Sequence, residues 1–563
     1  MSSSTGKVKP SFTNIFFILT SLVLLLILYI RVTRGLDLTD EMQYYGEIKG
    51  LIETDKLFSN DLFIQQSVYI LFYPVFYIYH KLFDYQGFVF FGRLIMAALT
   101  IAVYIYAYRK LLEFKFSPTV AGLTALSLTF AIPYHGIFAP SYNTISQVFW
   151  IIFIIQFYEW KQKNAIYWAA IPVITAFAQP TSAVMMAVLI LSRMSVERDF
   201  KQVAKVILAL LGGGLIALPI ALYFASPAAY LDSLKFSSGY GVGSAFFSSK
   251  SKLITLLLIY ALFGAAVLFW KHLRNINFAL LASVVTAASI VVFATGLANG
   301  AYTGRTIYVI ASLSALAYLW AISNYADENS ELRQRSHWLV LSLLAFATTL
   351  GVTSSNGLGQ ATGSFMVGLP LLFGIAVSTS GGKENTVNAK LKIICMALVC
   401  ILFVTHWSRY PYREAGWWRV NQSIQSVPAF KFIATSQDRS DLLQQMKHAL
   451  EPISQRKHTL IVSEYPAFYQ SLNVSIETCM LYMHSLTSDR SESVLKKCLR
   501  EKSPEIVIDI HSNNDIAPVD SRIKKVMQNF YEKRGFSCVD KSINFDSDGK
   551  LNPTTVKYLT CSI

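Results

Sequence analysis

The stretch TNIFFILTSLVLLLILYIRVTRGLDLTDEMQYYGEIKGLIETDKLFSND (residues 13–61) decides how the rest of the chain is read. Its first part is apolar from Ile15 to Ile30 and closes on Arg31. Its second part, Gly35–Asp61, gathers Asp37, Asp40, Glu41, Glu47, Glu53, Asp55 and Asp61 into one polar loop. A helix needs about 20 apolar residues to cross a bilayer, so residues 13–30 read as a membrane anchor. Lys7 and Lys9 precede it and no small-residue cleavage site precedes Arg31, the pattern of an uncleaved anchor rather than a removed signal peptide.

Working outward, the composition agrees. Of 563 residues, 53% are hydrophobic, 14% aromatic and only 15% charged. Soluble domains carry about 25% charged residues, so the balance is that of a polytopic membrane protein. The net charge of +15 lies in short connectors between apolar runs. There it reports membrane orientation and argues against a nucleic-acid groove.

Apolar runs at 13–30, 88–108, 118–133, 143–159, 204–224, 253–270, 276–296, 306–322, 337–352, 361–378 and 391–406 read as spans. Two stretches decide the parity. Residues 68–83 (VYILFYPVFYIYHKLF) are apolar but contain Pro74, His80 and Lys81, and read as lying at the interface. Residues 165–195 are cut by Gln179-Pro180 and read as crossing and returning, or as a re-entrant hairpin of the same parity. With that assignment, one set of connectors holds sixteen Lys and Arg and the opposite set four. Basic loops stay cytoplasmic, so the expected topology has about thirteen crossings, a cytoplasmic N-terminus, and the acidic loop 31–87 outside. Gly212–Gly214 lacks a following GK[ST] and lies inside a span, where glycine permits close helix packing.

The character of the chain changes near residue 407. Strand-length runs (HTLIVSEY, 458–465; PEIVIDIH, 504–511) alternate with helix-like stretches (SDLLQQMKHAL, 440–450; SESVLKKCLR, 491–500). The division is therefore a transmembrane domain, 1–406, and a small extracytoplasmic α/β domain, 407–563. Four cysteines, Cys479, Cys498, Cys538 and Cys561, lie in this tail without zinc-site spacing. They point to two disulfides in an oxidising compartment, and Cys538 with Cys561 is placed to staple the last two strands.

Between residues 88 and 406 no expected span carries an Asp or Glu in its interior. Ion-coupled transporters generally need an ionisable group near the midplane, which disfavours a lipid or polysaccharide transporter with a partner-binding tail. Outside the membrane and before the tail, the carboxylates are those of the first loop, Asp84 and Asp232. Within TDEMQYYGEI, helical spacing aligns Asp40 with Tyr44 and Glu47, and Asp37 with Glu41. Asp40 followed by Gln43 also reads as a capping box, in which Asp40 simply starts a helix over 41–52.

The order of parts over residues 13–406 resembles the GT-C superfamily of membrane glycosyltransferases, which includes protein O-mannosyltransferases and lipid A aminoarabinose transferases. The likeness rests on Asp40-Glu41 with Tyr44 in the first outer loop, the interfacial stretch 68–83, and FGRLIMAAL with Arg93. Where related sequences often have Lys-Pro-Thr, this chain has Gln179-Pro180-Thr181. The resemblance implies a polyprenyl-phosphate-linked sugar as donor and inverting transfer on the outer face. The acceptor would be an envelope glycan or glycolipid, such as lipopolysaccharide O-antigen at a bacterial inner membrane, with the tail periplasmic. Transfer to protein or lipid A is the alternative within the family. By matching, Asp40 is the base, and Glu41 positions the acceptor or helps hold a divalent cation. Arg305 and Arg93 are the candidate phosphate ligands, because a guanidinium grips phosphate bidentately. Tyr142, Asn143 and Asn356, in polar outer connectors, are candidates to bond sugar hydroxyls.

Overall fold

The computed structural model describes residues 12–59, 63–130, 137–160, 164–239, 417–454, 459–463, 465–471, 489–512, 521–544 and 555–562, with scattered helical positions between 335 and 371. Arg305, Asn356, Cys479 and most of the spans expected beyond residue 240 lie outside the described residues.

The described chain is mostly helical, with a small C-terminal sheet. Its helices are α1 (Phe12–Thr33), α2 (Asp40–Thr54), a 3-10 helix (Ile64–Leu71), α3 (Tyr73–Phe83), α4 (Phe88–Glu113) and α5 (Pro118–Phe130). They continue with α6 (Tyr142–Glu159), α7 (Ala165–Ala178), α8 (Pro180–Val196), α9 (Phe200–Phe224) and α10 (Pro227–Gly239). Among the described residues three segments are long and apolar enough to cross a membrane: Ile15–Thr33, Phe88–Glu113 and Phe200–Phe224. The apolar helices α7 and α8 have 14 and 17 residues. At 1.5 Å per residue they reach about 21–26 Å, short of a hydrocarbon core of about 30 Å.

Proline sets two of the breaks. Pro180 occupies the first turn of α8, and Gln179 before it is extended (φ −154°, ψ 97°), because a proline ring excludes its predecessor from the helical region. Residues 165–195 are therefore two helices packed on each other rather than one kinked span. Pro74 stands in the first turn of α3, and the 68–83 stretch divides into the 3-10 helix and an 11-residue helix too short to cross.

α1 buries Leu24, Ile27 and Leu28 and exposes Ile18, Leu22, Leu26 and Tyr29. The buried side packs on α4 and α5, where the Thr20 hydroxyl meets Tyr104 Oη at 2.6 Å. Of the three glycines in α9, only Gly213 sits against a neighbour, Val173. α2 meets α4 through the Tyr45 side chain. Tyr45, fully buried, donates to the Val89 carbonyl at 3.1 Å and lies flat against Gly92.

The tail opens with a two-residue antiparallel pair, β1 (Gln422–Ser423) with β2 (Ala434–Thr435), and α11 (Gln437–Ser454). β3 (Thr459–Ser463), α12 (Ala467–Ser471), α13 (Asp489–Lys502), β4 (Ile506–Ser512), α14 (Ser521–Arg534), β5 (Ser537–Asn544) and β6 (Thr555–Ser562) follow. The sheet order is β3-β4-β6-β5, with β3 and β4 parallel and the other pairs antiparallel. Cys538 and Cys561 face each other in register and form the expected disulfide across β5 and β6. The tail does not hang apart from the helices. Val427, Phe430, Ile433, Leu442 and Phe468 belong to the same core as α1–α9, and Phe63 of the first loop enters the core beneath the sheet.

A Cβ on Gly92 would sit 2.4 Å from Tyr45 Cε1 and 2.8 Å from Cζ, in a place where Tyr45 has nowhere to move. Gly92→Ala is expected to destabilise the protein by about 1–3 kcal/mol, read as a lower melting temperature in detergent. Gly212→Ala, where nothing among the described residues lies within 4 Å, serves as the control and is expected to be neutral or slightly stabilising. Equal melting temperatures for the two variants would refute this account of the α2–α4 contact.

Candidate active site

The site is built from the turn before α2. Asp37 is buried and accepts from the Thr39 amide at 3.1 Å and the Thr39 hydroxyl at 2.7 Å through Oδ1. Its Oδ2 accepts from the Glu41 amide at 2.8 Å, and the Asp37 amide returns a bond to Glu41 Oε2 at 3.3 Å. This reciprocal pair closes the start of α2, satisfying amides that the first helical turn otherwise leaves without partners. The helix begins at Asp40 itself, and the residue before it, Thr39, makes no side-chain cap. The capping work expected of Asp40 is done by Asp37.

Glu41 is turned inward. Arg93 Nε donates to Glu41 Oε1 at 2.7 Å and Nη2 to Oε2 at 2.7 Å, with the two residues 3% and 2% exposed. Nη2 also reaches the Gly35 carbonyl at 2.7 Å, and Nη1 reaches the carbonyls of Arg31 and Arg34 at 3.3 and 3.4 Å. The guanidinium therefore closes the end of α1, the turn and α4 into one unit. It neither extends toward headgroups nor faces open space.

The other described carboxylates of this region are also engaged. Glu47 accepts from Gln43 Nε2 at 3.0 Å and from the Tyr69 hydroxyl. Burial and the Glu47 charge hold that hydroxyl well above the ordinary tyrosine pKa, so it stays a donor. Glu53 lies 3.9 Å from Lys49, whose ammonium burial pushes down in pKa while Glu53 and Asp84 oppose the shift. Asp55 accepts from Tyr73, and Asp84 lies 3.5 Å from His80.

Asp40 is different. It is half-buried, and among the described residues its carboxylate makes no hydrogen bond or ion pair. It lies close enough to Tyr142 to act on the hydroxyl electrostatically, as does Glu47. Tyr44 meets the Tyr142 ring edge-on at 6.3 Å. Asn143 donates to the Tyr142 oxygen, while its own Oδ1 is buried without a partner. Both residues are held by the start of α6, which a Ser141–Thr144 capping box fixes. The structure thus brings together Asp40, Tyr44, Tyr142 and Asn143, with Glu47 and Tyr69 behind them. Glu41 and Arg93 bind each other about 100° round α2 from Asp40.

Gln179 is buried and accepts from the hydroxyls of Ser146 and Ser182 at 2.6 and 2.5 Å. It ties the α7–α8 break to α6. Among the described residues no group of three His, Cys, Asp or Glu side chains could hold a metal ion. With both Glu41 oxygens on Arg93, the Asp40-Glu41 pair does not fit a cation-holding chelate. Asp37, Glu47 and Tyr69 carry weight here that reading the sequence alone did not give them. Glu47 left a signal in its helical spacing from Asp40, and Asp37 in its spacing from Glu41.

Removing one partner from a buried ion pair costs about 3–5 kcal/mol, since the other charge is left uncompensated. Glu41→Gln is expected to lower the melting temperature by that equivalent, measured on purified protein in detergent. Adding Arg93→Met should recover only part, because the carbonyls of Arg31, Arg34 and Gly35 then lose their donor. An unchanged melting temperature in Glu41→Gln would contradict this reading. Comparison with known proteins adds nothing further, since no protein-family model and no curated protein matches the chain.

Proposed function

We propose that this chain is an inverting glycosyltransferase that uses a polyprenyl-phosphate-linked sugar, with Asp40 as its general base. The observation that carries the reading is that Asp40 alone, among the described carboxylates of the first loop, is accessible and unengaged, and it stands beside Tyr142 and Asn143. A general base must reach the acceptor hydroxyl, and a carboxylate already paired with a buried guanidinium, as Glu41 is with Arg93, is poorly placed to do so.

In the proposed reaction the acceptor oxygen attacks the anomeric carbon from the face opposite the phosphate. Its proton passes to Asp40 as the new C–O bond forms. The bond from that carbon to the phosphate oxygen breaks, and its electron pair leaves with the phosphate, so the configuration inverts. The phosphate needs no protonation to leave. Tyr44 and Tyr142 offer an aromatic wall for a sugar ring, and the orphaned Asn143 Oδ1 is suited to accept from a sugar hydroxyl. Arg305 is the proposed phosphate ligand and Asn356 a further contact to the sugar. The reading also takes in about thirteen crossings, the acidic loop and tail on the periplasmic face of a bacterial inner membrane, and an envelope glycan such as O-antigen as acceptor.

The test is Asp40→Asn in the full chain, read as the sugar mass on envelope glycans from expressing cells. Loss of a positioned base is expected to lower transfer by about 10²–10⁴-fold with the protein still inserted and its melting temperature within about 1 kcal/mol equivalent of wild type. Undiminished transfer in Asp40→Asn would sink the assignment.

A further inference from the structure

The segment that orients the candidate base is held from the far end of the chain. Residues 34–38 run beneath the first part of the tail and are read there by backbone contacts at successive positions. Arg34 bridges Ala434 in parallel, and the Gly35 amide donates to the Ala434 carbonyl at 2.8 Å. The Leu36 carbonyl accepts from Arg439 Nη1, and the Leu38 carbonyl accepts from the Ala467 amide at 3.1 Å. Arg439 is among the largest fully buried side chains, 2% exposed, and lies 403 residues from Leu36 in sequence. A second tether joins the Gly87 amide to the Pro428 carbonyl at 2.8 Å, just before α4 brings Arg93 to the turn.

We propose that Arg439 is a positioning residue for Asp40, and that the first part of the tail, residues 417–471, is a structural member of the active site rather than an appended module. This rests on the reading of Asp40 as the base. The physical reason is the narrow geometry of the turn. Asp37 must offer one oxygen to Thr39 and the other to Glu41 while its own amide meets Glu41. That arrangement leaves Asp40 as the first helical residue with its carboxylate outward. Leu36 and Leu38 flank Asp37 on either side, and both carbonyls are buried. Buried carbonyls need donors, and here the tail supplies one to each. Without the Arg439 bond the Leu36 carbonyl is held less firmly, which lets the adjoining Asp37 rotate out of its cap.

The test uses full-length protein in detergent and reads amide hydrogen exchange over residues 36–41, alongside glycan transfer in cells. Arg439→Ala is expected to speed exchange at the Thr39 and Glu41 amides by about tenfold or more, with α4 and strands β3–β6 unchanged. Transfer should fall by at least about tenfold, and Arg439→Lys, which keeps a charged donor, should recover part of both. Should Arg439→Ala loosen the whole tail, Arg439→Lys is read instead and must show a smaller acceleration confined to 36–41. Unchanged exchange over 36–41 overturns the proposal. So does faster exchange with wild-type transfer, which would make the clamp irrelevant to the site. If Asp40→Asn is inactive while Arg439→Ala is fully active, this inference alone fails. If Asp40→Asn is active, the base assignment fails, and the exchange result still decides whether the tail orders the turn.

Discussion

A carboxylate and a guanidinium buried face to face fix almost everything near this site. Neither Glu41 nor Arg93 can be removed from water singly without a large penalty, so each requires the other. The pair contributes specificity of placement more than net stability, because its desolvation offsets much of its Coulomb gain. Placement is what the site needs. Successive helical residues point about 100° apart, so fixing Glu41 against α4 also fixes where Asp40 points. Residues 40, 44 and 47 then share the face that meets α6, and residue 41 faces the end of α1.

The same residue type thus takes several roles within one loop, and the difference lies in the partners each carboxylate meets. Asp37 meets amides and becomes a cap. Glu41 meets a guanidinium and becomes a rivet, while Glu47 meets Gln43 and Tyr69 and becomes a buried acceptor. Asp40 lies near the Tyr142 hydroxyl and, among the described residues, accepts from no donor.

Much of this architecture can be read from the sequence where the signal is local. Pro180 divides 165–195, Pro74 shortens α3, and the 3.6-residue period puts Asp40, Tyr44 and Glu47 on one face. The β runs and helices of the tail follow from alternation and length, and the Cys538–Cys561 bridge from their place on the last two strands. What the sequence conceals is long-range. Glu41 and Arg93 are 52 residues apart, and each alone looks like a substrate ligand. The Asp37 cap is hidden because Asp40 with Gln43 imitates a capping box and draws the eye three residues too late. The hold of the tail on residues 34–38 is mostly main-chain hydrogen bonding, which leaves no pattern of side-chain types. Strand order is equally silent, since no local pattern tells that β6 pairs with both β4 and β5.

A base on a flexible loop would be accessible but badly aimed, and a base inside a hydrogen-bond network would be well aimed but engaged. The first loop resolves this conflict by dividing the two demands among neighbours. Asp37, Glu41 and Glu47 take up the available donors and, in doing so, fix the backbone on both sides of residue 40. Asp40 inherits its orientation from them and, among the described residues, makes no side-chain bond of its own. Positions only a few ångströms apart must then come from three distant parts of the chain: α1 and its turn, α4, and the tail. In the same way the helices and the first part of the tail share one core, which Phe430 enters from the tail, while Phe63 of the first loop enters a second core beneath the sheet.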